Sequence, residues 1–274
     1  MSVMLRKIGV SLVVLAGLLW SGPAAADIND FFTLRFAGSG PLLRFFMPKM
    51  GQFFFEDTEI RVVAAKLETE QALKALLAGE VELVGLDRPL TEAEKAQGLT
   101  ARLLGWDALI VAVHHDNPLD SISLEVLREI MTGNLSQWKD CGGGDLPIVV
   151  VTCPRGSRVR GIVRELLLDG QPLLPRAVVA AIVDQADAHV AMFPGGIAVL
   201  GAGMLDDPKA KALQIDGALP EATALANGRY PLAKPLFLVT RGSPRDELKV
   251  FVDLAAGSAG QEILAEHFVP LLQK

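Results

Sequence analysis

Apolar and polar positions along this chain of 274 residues switch repeatedly between a two-residue and a helical period. Thr33–Ala37 reads as a strand, Leu42–Phe54 as a helix and Glu59–Ala65 as a strand. Glu70–Ala78 returns to helical spacing, followed by a short strand at Val81–Leu86. Thr91-Glu92-Ala93-Glu94 opens the next segment with capping-box spacing. Leu103–His114 is a long apolar strand or strand pair, and Ser123–Met131 starts with a cap residue and repeats Leu124, Leu127, Ile130 and Met131. Leu146–Thr152 is β-branched and strand-like, and Val159–Leu168 is helical. Ala177–Asp187 mixes apolar and small residues. Ile197–Leu200 is a short apolar run after Pro194-Gly195-Gly196. Pro235–Thr240 predicts a strand, with closing helices at Asp246–Ala255 and Ala259–His267. Such alternation predicts an α/β architecture of mostly parallel strands covered on both faces. There is no fixed-period repeat and no low-complexity tract.

The start of the chain breaks this pattern. Arg6 and Lys7 precede an apolar run, Ile8 to Trp20, and Ala24-Ala25-Ala26 stands before Asp27. That is the layout of a secretory signal peptide cleaved after Ala26. The run is shorter than the roughly 20 residues a membrane span needs, which weighs against an uncleaved anchor. Cleavage leaves 248 residues and moves the net charge from −6 to −8, because the leader holds two basic residues and no acidic one. A mildly acidic chain of this kind is a poor candidate for non-specific nucleic-acid binding, so no nucleic-acid partner is expected.

Three breaks each precede a helix-like segment: Ala37-Gly38-Ser39-Gly40, Glu68-Thr69 and Arg155-Gly156-Ser157. A helix start carries unpaired N–H groups and the positive end of the helix dipole, so several aimed at one point make an anion cradle. Beside that reading stand plainer ones. Ser39 suits a helix cap, Asp87 before Arg88-Pro89 suits a turn, and Arg158, Arg160 and Arg164 suit a solvated helix face. His114 and His115 are adjacent on a predicted strand, where they point to opposite faces and do not chelate one ion. Trp138, Phe45-Phe46 and Phe53-Phe54-Phe55 read as core. No metal-spaced His/Cys cluster, nucleophile elbow or phosphate loop ending in Lys-Ser/Thr is present, so neither a cofactor nor catalysis is expected. Cys141 and Cys153 leave two states open. A disulfide suits an exported chain, but an intervening strand rising about 3.3 Å per residue separates the two cysteines.

Several segments together resemble the phosphate-binding-protein-like branch of periplasmic solute-binding proteins, the receptors of ABC transporters. They are Leu77 through Thr91 around Asp87, Val111 through Pro118, Ser123 through Gly133 with Trp138-Lys139, Tyr230-Pro231-Leu232, Pro235-Leu236, and Gly260-Gln261-Glu262 through Val269-Pro270-Leu271. The resemblance spans nearly all of residues 33–271. It implies the two-lobed type II periplasmic-binding-protein fold with a central cleft and two interlobe crossovers. Lobe one would hold residues 27–112 and 231–274, and lobe two residues 113–230. The resemblance further implies a monomer in the periplasm, a small oxyanion ligand with phosphate favoured, and an inner-membrane ABC permease as partner. Ser39 and Gly40 match the family's first anion loop, Asp87 its aspartate, and Gly156 and Ser157 the start of its Gly-Ser-Gly-Thr loop.

The departures are equally specific. Arg158-Val159 replaces the loop's Gly-Thr, and the family's anion-pairing arginine falls at Cys153, so Arg155 or Arg158 would supply that charge from a shifted position. The second hydroxyl loop falls at Glu68-Thr69. Thr69 would cap its helix and offer its hydroxyl, whereas Glu68 would repel a dianion. Two unit charges about 4 Å apart interact by about 4 kcal/mol at an effective dielectric of about 20. The sequence therefore supports an oxyanion receptor, with a divergent interaction or sensor module as the alternative and a secreted phosphoester hydrolase as a weaker third reading.

Overall fold

The computed structural model describes residues 33–38 and 40–271. The leader, its cleavage position and Ser39 lie outside the described residues.

Three parallel strands open the fold: β1 (Thr33–Gly38), β2 (Arg61–Lys66) and β3 (Leu83–Leu86). β1 lies between the others, and Gly38 faces Lys66 on one side and Gly85 on the other. The connections are helical. A wide turn at Leu42–Phe46 runs into α1 (Met47–Thr58), followed later by α2 (Thr69–Ala78) and α3 (Glu92–Ala96). α2 buries Ala72, Leu73, Ala75 and Leu76, one face at helical spacing, and Gly79 ends it in the left-handed conformation that glycine adopts without strain. At α3 both arms of the expected capping box are present: Glu94 N–H donates to Thr91 Oγ1, and Thr91 N–H to Glu94 Oε2.

β4 (Leu99–His114) then leaves this region, and β10 (Ala233–Arg241) returns to it. Between them come β5 (Ser121–Ile122), α4 (Leu124–Thr132), β6 (Val149–Thr152) and α5 (Arg158–Ile162), which continues as a wide turn at Val163–Leu167. Next are β7 (Val178–Val179), α6 (Ala186–Met192), β8 (Gly196–Gly201), β9 (Ala210–Ile215) and α7 (Ala222–Ala226). The chain closes with α8 (Asp246–Ala256), α9 (Ser258–Ala265) and β11 (Val269–Pro270). Ser123 caps α4 as expected, its hydroxyl accepting from Val126 N–H.

The main strand order is β2-β1-β3-β10-β4-β8-β6-β7. The expectation of mostly parallel strands holds only toward the two ends of that path. β10 is antiparallel to β3 and β4, and β4 is antiparallel to β8, β9 and β11. The cause is the double crossing: the strand carrying the chain out and the strand bringing it back lie side by side and must run in opposite directions. β4 changes neighbours along its length. Leu99–Ala108 pair with β10, and Leu109–Val113 pair with β8.

Three apolar clusters follow from this layout. One extends from Trp106 to Leu232 and contains the faces of β4, β6, β8 and β9. A second joins residues 34–54 to residues 236–268, with Phe54 set edge-on against Phe251 at a centroid distance of 5.1 Å. A third joins α2 to β3 and Val239. Trp138 is buried, and its indole N–H donates to Gly195 O at 3.0 Å. The phenylalanine expectation needs correction. Phe46 and Phe54 are fully buried, but Phe53 and Phe55 are exposed, because neighbours on a helix point about 100° apart. Gln261 explains its motif: its side chain donates to Leu104 O at 3.0 Å and accepts from Leu271 N–H at 2.7 Å, fastening the C-terminal strand to β4. Cys141 and Cys153 do not form a disulfide. Among the described residues no helix is long and apolar enough to cross a membrane.

Candidate functional site

The parallel register places the first two breaks together. Gly40 follows the C-terminal end of β1, Thr69 follows that of β2, and Asp87 follows that of β3. The carboxyl edge of parallel strands is where α/β sheets present ligand sites, since successive loops and helix starts converge there. Gly40 has φ +77°, a conformation that favours glycine. Glu68, rather than Thr69, occupies the cap position of α2; Thr69 is the first helical residue, and no side chain caps this end. The expected capping role of Thr69 is therefore incorrect. Glu68 is exposed and Thr69 partly buried.

The third break follows β6. Gly156 has φ +83°, and Ser157 caps α5 by accepting from Arg160 N–H at 3.3 Å. Arg155 and Gly156 are exposed. Arg158 turns inward: its guanidinium pairs with Asp107 of β4. It also lies beside two neighbouring aromatic rings, 5.5 Å from the Phe45 centroid and 5.3 Å from that of Phe268. Phe45 belongs to the turn that follows Gly40, so Arg158 brings the third break against the first. A guanidinium over ring faces gains electrostatically from their quadrupoles. Of the two arginines considered to replace the family's cation, Arg158 is the one held inside.

A second bridge parallels this one. Lys234 of β10 contacts Asp87 Oδ2 at 2.7 Å and Glu165 Oε1 at 2.9 Å, so it links the end of β3 to the turn after α5. Lys234 carries no motif, and the sequence reading missed it. The available signal was one lysine before the apolar run Pro235–Val239, beside Tyr230-Pro231-Leu232. Burial would lower its pKa, but the hydrogen bonds to Asp87 and Glu165 outweigh that and hold the ammonium above its ordinary value.

Asp107 is 1% exposed, and its Oδ2 has no hydrogen-bond partner among the described residues. Burial pushes its carboxyl above the usual range, and Arg158 only partly opposes the rise. Fully ionised, the group holds two cations, Arg158 and Lys234, against three carboxylates, Asp87, Asp107 and Glu165. One excess negative charge repels an incoming anion. Protonation of Asp107 cancels it and frees Arg158 for another oxyanion.

The chain has the two-lobed arrangement of known binding proteins. Residues 23–258 match the PBP superfamily domain, and the chain belongs to that superfamily. It is 30% identical over 229 residues to the phosphate-binding protein PstS of Bacillus subtilis, covering 81% of this chain and 74% of the relative. It is 24% identical over 190 residues to PstS of Borreliella burgdorferi, covering 65% of this chain and 68% of the relative. In fold it resembles the crystal structure of PstS from Borrelia burgdorferi, with a TM-score of 0.75 at 19% identity, covering 88% of this chain and 99% of that one. It also resembles an ABC-type phosphate transport receptor from Vibrio cholerae, with a TM-score of 0.68 at 23% identity, covering 86% of this chain and 100% of that one.

Proposed function

We propose that this chain is an exported, periplasmic substrate-binding protein that captures phosphate or a related oxyanion and delivers it to an inner-membrane ABC permease. The observation that carries the reading is the 30% identity over 229 residues to a phosphate-binding protein. On this reading residues 27–112 and 231–274 form lobe one and residues 113–230 form lobe two. The anion sits where Gly40, Thr69 and Asp87 meet Arg155, Gly156, Ser157 and Arg158, with Ser39 completing the first loop. Arg158 supplies the bidentate cation, Asp87 accepts from a protonated oxyanion, and Ser157 marks the helix start that faces it. The protein acts as a monomer and performs no catalysis, because binding and release are the whole task.

The test is calorimetric titration of the phosphate-stripped protein with phosphate, with sulfate and molybdate alongside. Saturable one-to-one binding that Asp87→Ala abolishes is the expected result. Absence of heat with all three anions refutes the reading.

One observation favours a second reading, an interaction or sensor module. Arg158 and Asp87 are already neutralised by Asp107 and Lys234, and Glu68 sits beside the second loop. A partner recovered by crosslinking, together with no anion binding, would support it.

A further inference from the structure

Asp107 of β4 and Lys234 of β10 are directly opposed in the antiparallel pair, so their side chains leave the sheet on one face. Lys234 nevertheless turns to Asp87 and Glu165, and among the described residues Arg158 alone pairs with Asp107, through Oδ1. Oδ2 is left buried, with no hydrogen-bond partner among the described residues. The Phe45 and Phe268 rings beside the guanidinium attract a cation but offer nothing to a carboxylate. Arg44 and His267 stand around Phe45, at 5.4 Å and 4.9 Å from its ring centroid.

The three carboxylates of this cluster are unequal as proton acceptors. Asp87 and Glu165 share Lys234, and their side chains are 38% and 56% exposed, so water supports their charge. Asp107 is 1% exposed, and one of its two oxygens lacks a donor. Burial disfavours the ionised form of such a group most, and the raised pKa of Asp107 has that direction. An oxyanion that approaches Arg158 adds a like charge beside Asp107, which favours its protonation further.

We propose, on the oxyanion reading above, that Asp107 makes capture proton-coupled: each oxyanion enters with one proton, which comes from solvent and lodges on the Asp107 carboxylate. Arg158 then releases Oδ1 and turns its N–H donors to the anion. The neutral acid left behind needs no counter-charge. A singly charged oxyanion entering with a proton leaves the net charge of the cluster unchanged, whereas alone it would double the excess negative charge. Asp107 thereby sets the ligand class, favouring a monobasic oxyanion such as dihydrogen phosphate over a dianion. Because binding consumes a proton, affinity falls as pH rises.

The test is calorimetric titration of the phosphate-stripped full chain and of Asp107→Asn with phosphate, at about pH 5.5 and about pH 8. The amide is a neutral isostere of the protonated acid, and the titration of phosphate itself is common to both proteins. At the higher pH Asp107→Asn should bind at least tenfold tighter than the parent, and its affinity should fall at least tenfold less across the range. Repetition in buffers of different ionisation enthalpy should count about one more proton taken up per anion by the parent. A measurement on the parent alone stands beside these: its infrared difference spectrum with phosphate at the higher pH should gain the C=O band of a protonated carboxyl. Equal pH profiles and proton counts in the two proteins, or no such band in the parent, overturn the proposal and leave the oxyanion reading standing. No heat with phosphate at either pH overturns both.

Discussion

Arg158 and Asp107, 51 residues apart in sequence, form an ion pair between the first turn of α5 and the middle of β4. The carboxylate is almost entirely buried, and among the described residues the guanidinium is its one ion-pair partner. Removing one member of such a pair leaves an uncompensated buried charge, which costs about 3–5 kcal/mol. Arg158→Met keeps an apolar stem beside Phe45 and Phe268 and removes the charge. We expect it to lower stability by about 3 kcal/mol near pH 7.5, measured by urea unfolding.

That loss should depend on pH in a fixed direction. The folded-state pKa of Asp107 is raised, so the folded protein holds the proton more tightly than the unfolded chain does. Stability therefore falls as pH rises from the unfolded carboxyl value through the raised one. In acid Asp107 is neutral and no longer needs its partner. The gap between Arg158→Met and the parent should accordingly narrow at low pH. A gap that widens in acid would contradict the account.

Glu94 runs the other way. Its hydrogen bond with Arg88, aided by the Thr91 cap, outweighs partial burial and lowers its pKa to about 2. The stabilisation is present above the ordinary glutamate value of about 4.3 and is lost as pH falls toward 2. Glu94→Gln should cost about 1 kcal/mol at neutral pH and nothing near pH 2, judged by paired denaturation curves.

Lys234 tests the site rather than the fold. Lys234→Met leaves Asp87 and Glu165 without their shared cation, so the local negative charge grows. If the oxyanion reading holds, phosphate affinity should drop at least tenfold in calorimetry. An unchanged affinity would remove Lys234 from the site.

Core and surface phenylalanines should separate cleanly. Phe54→Ala deletes a fully buried ring packed on Phe251 and should cost about 3–5 kcal/mol. Phe55→Ala, on the exposed face of the same helix, should change stability by about 1 kcal/mol or less. Thermal melts of the two variants would show the contrast directly.

What the sequence discloses follows the reach of each interaction. Local chemistry was legible: the Thr91 capping box, the Ser123 cap and the helical face of α2 all rest on residues within one turn of one another. The breaks at Gly38-Ser39-Gly40 and Glu68-Thr69 were legible as breaks, while their shared edge follows from the parallel pairing of β1 and β2. Contacts set by topology were not. Arg158 looked like one of three arginines on a solvated face, since nothing local announces Asp107. Lys234 finds Asp87 and Glu165 only after β10 has returned beside β3. β9 escaped because its alternation, Ala210-Lys211-Ala212-Leu213-Gln214-Ile215, is weakly apolar at its start.

The second apolar cluster unites residues from the first and last parts of the chain, Leu34 to Phe54 with Leu236 to Phe268. During synthesis its early half has only Leu83 and Leu104 to pack on until almost the whole polypeptide exists. β3 likewise waits for β10, more than a hundred residues downstream, before one edge is covered. Long-range pairing of this kind folds slowly and leaves apolar surface uncovered in the interim. A chain truncated before β10 should therefore be insoluble rather than half-folded, so completion of the C-terminal helices is the step that commits this protein to its native state.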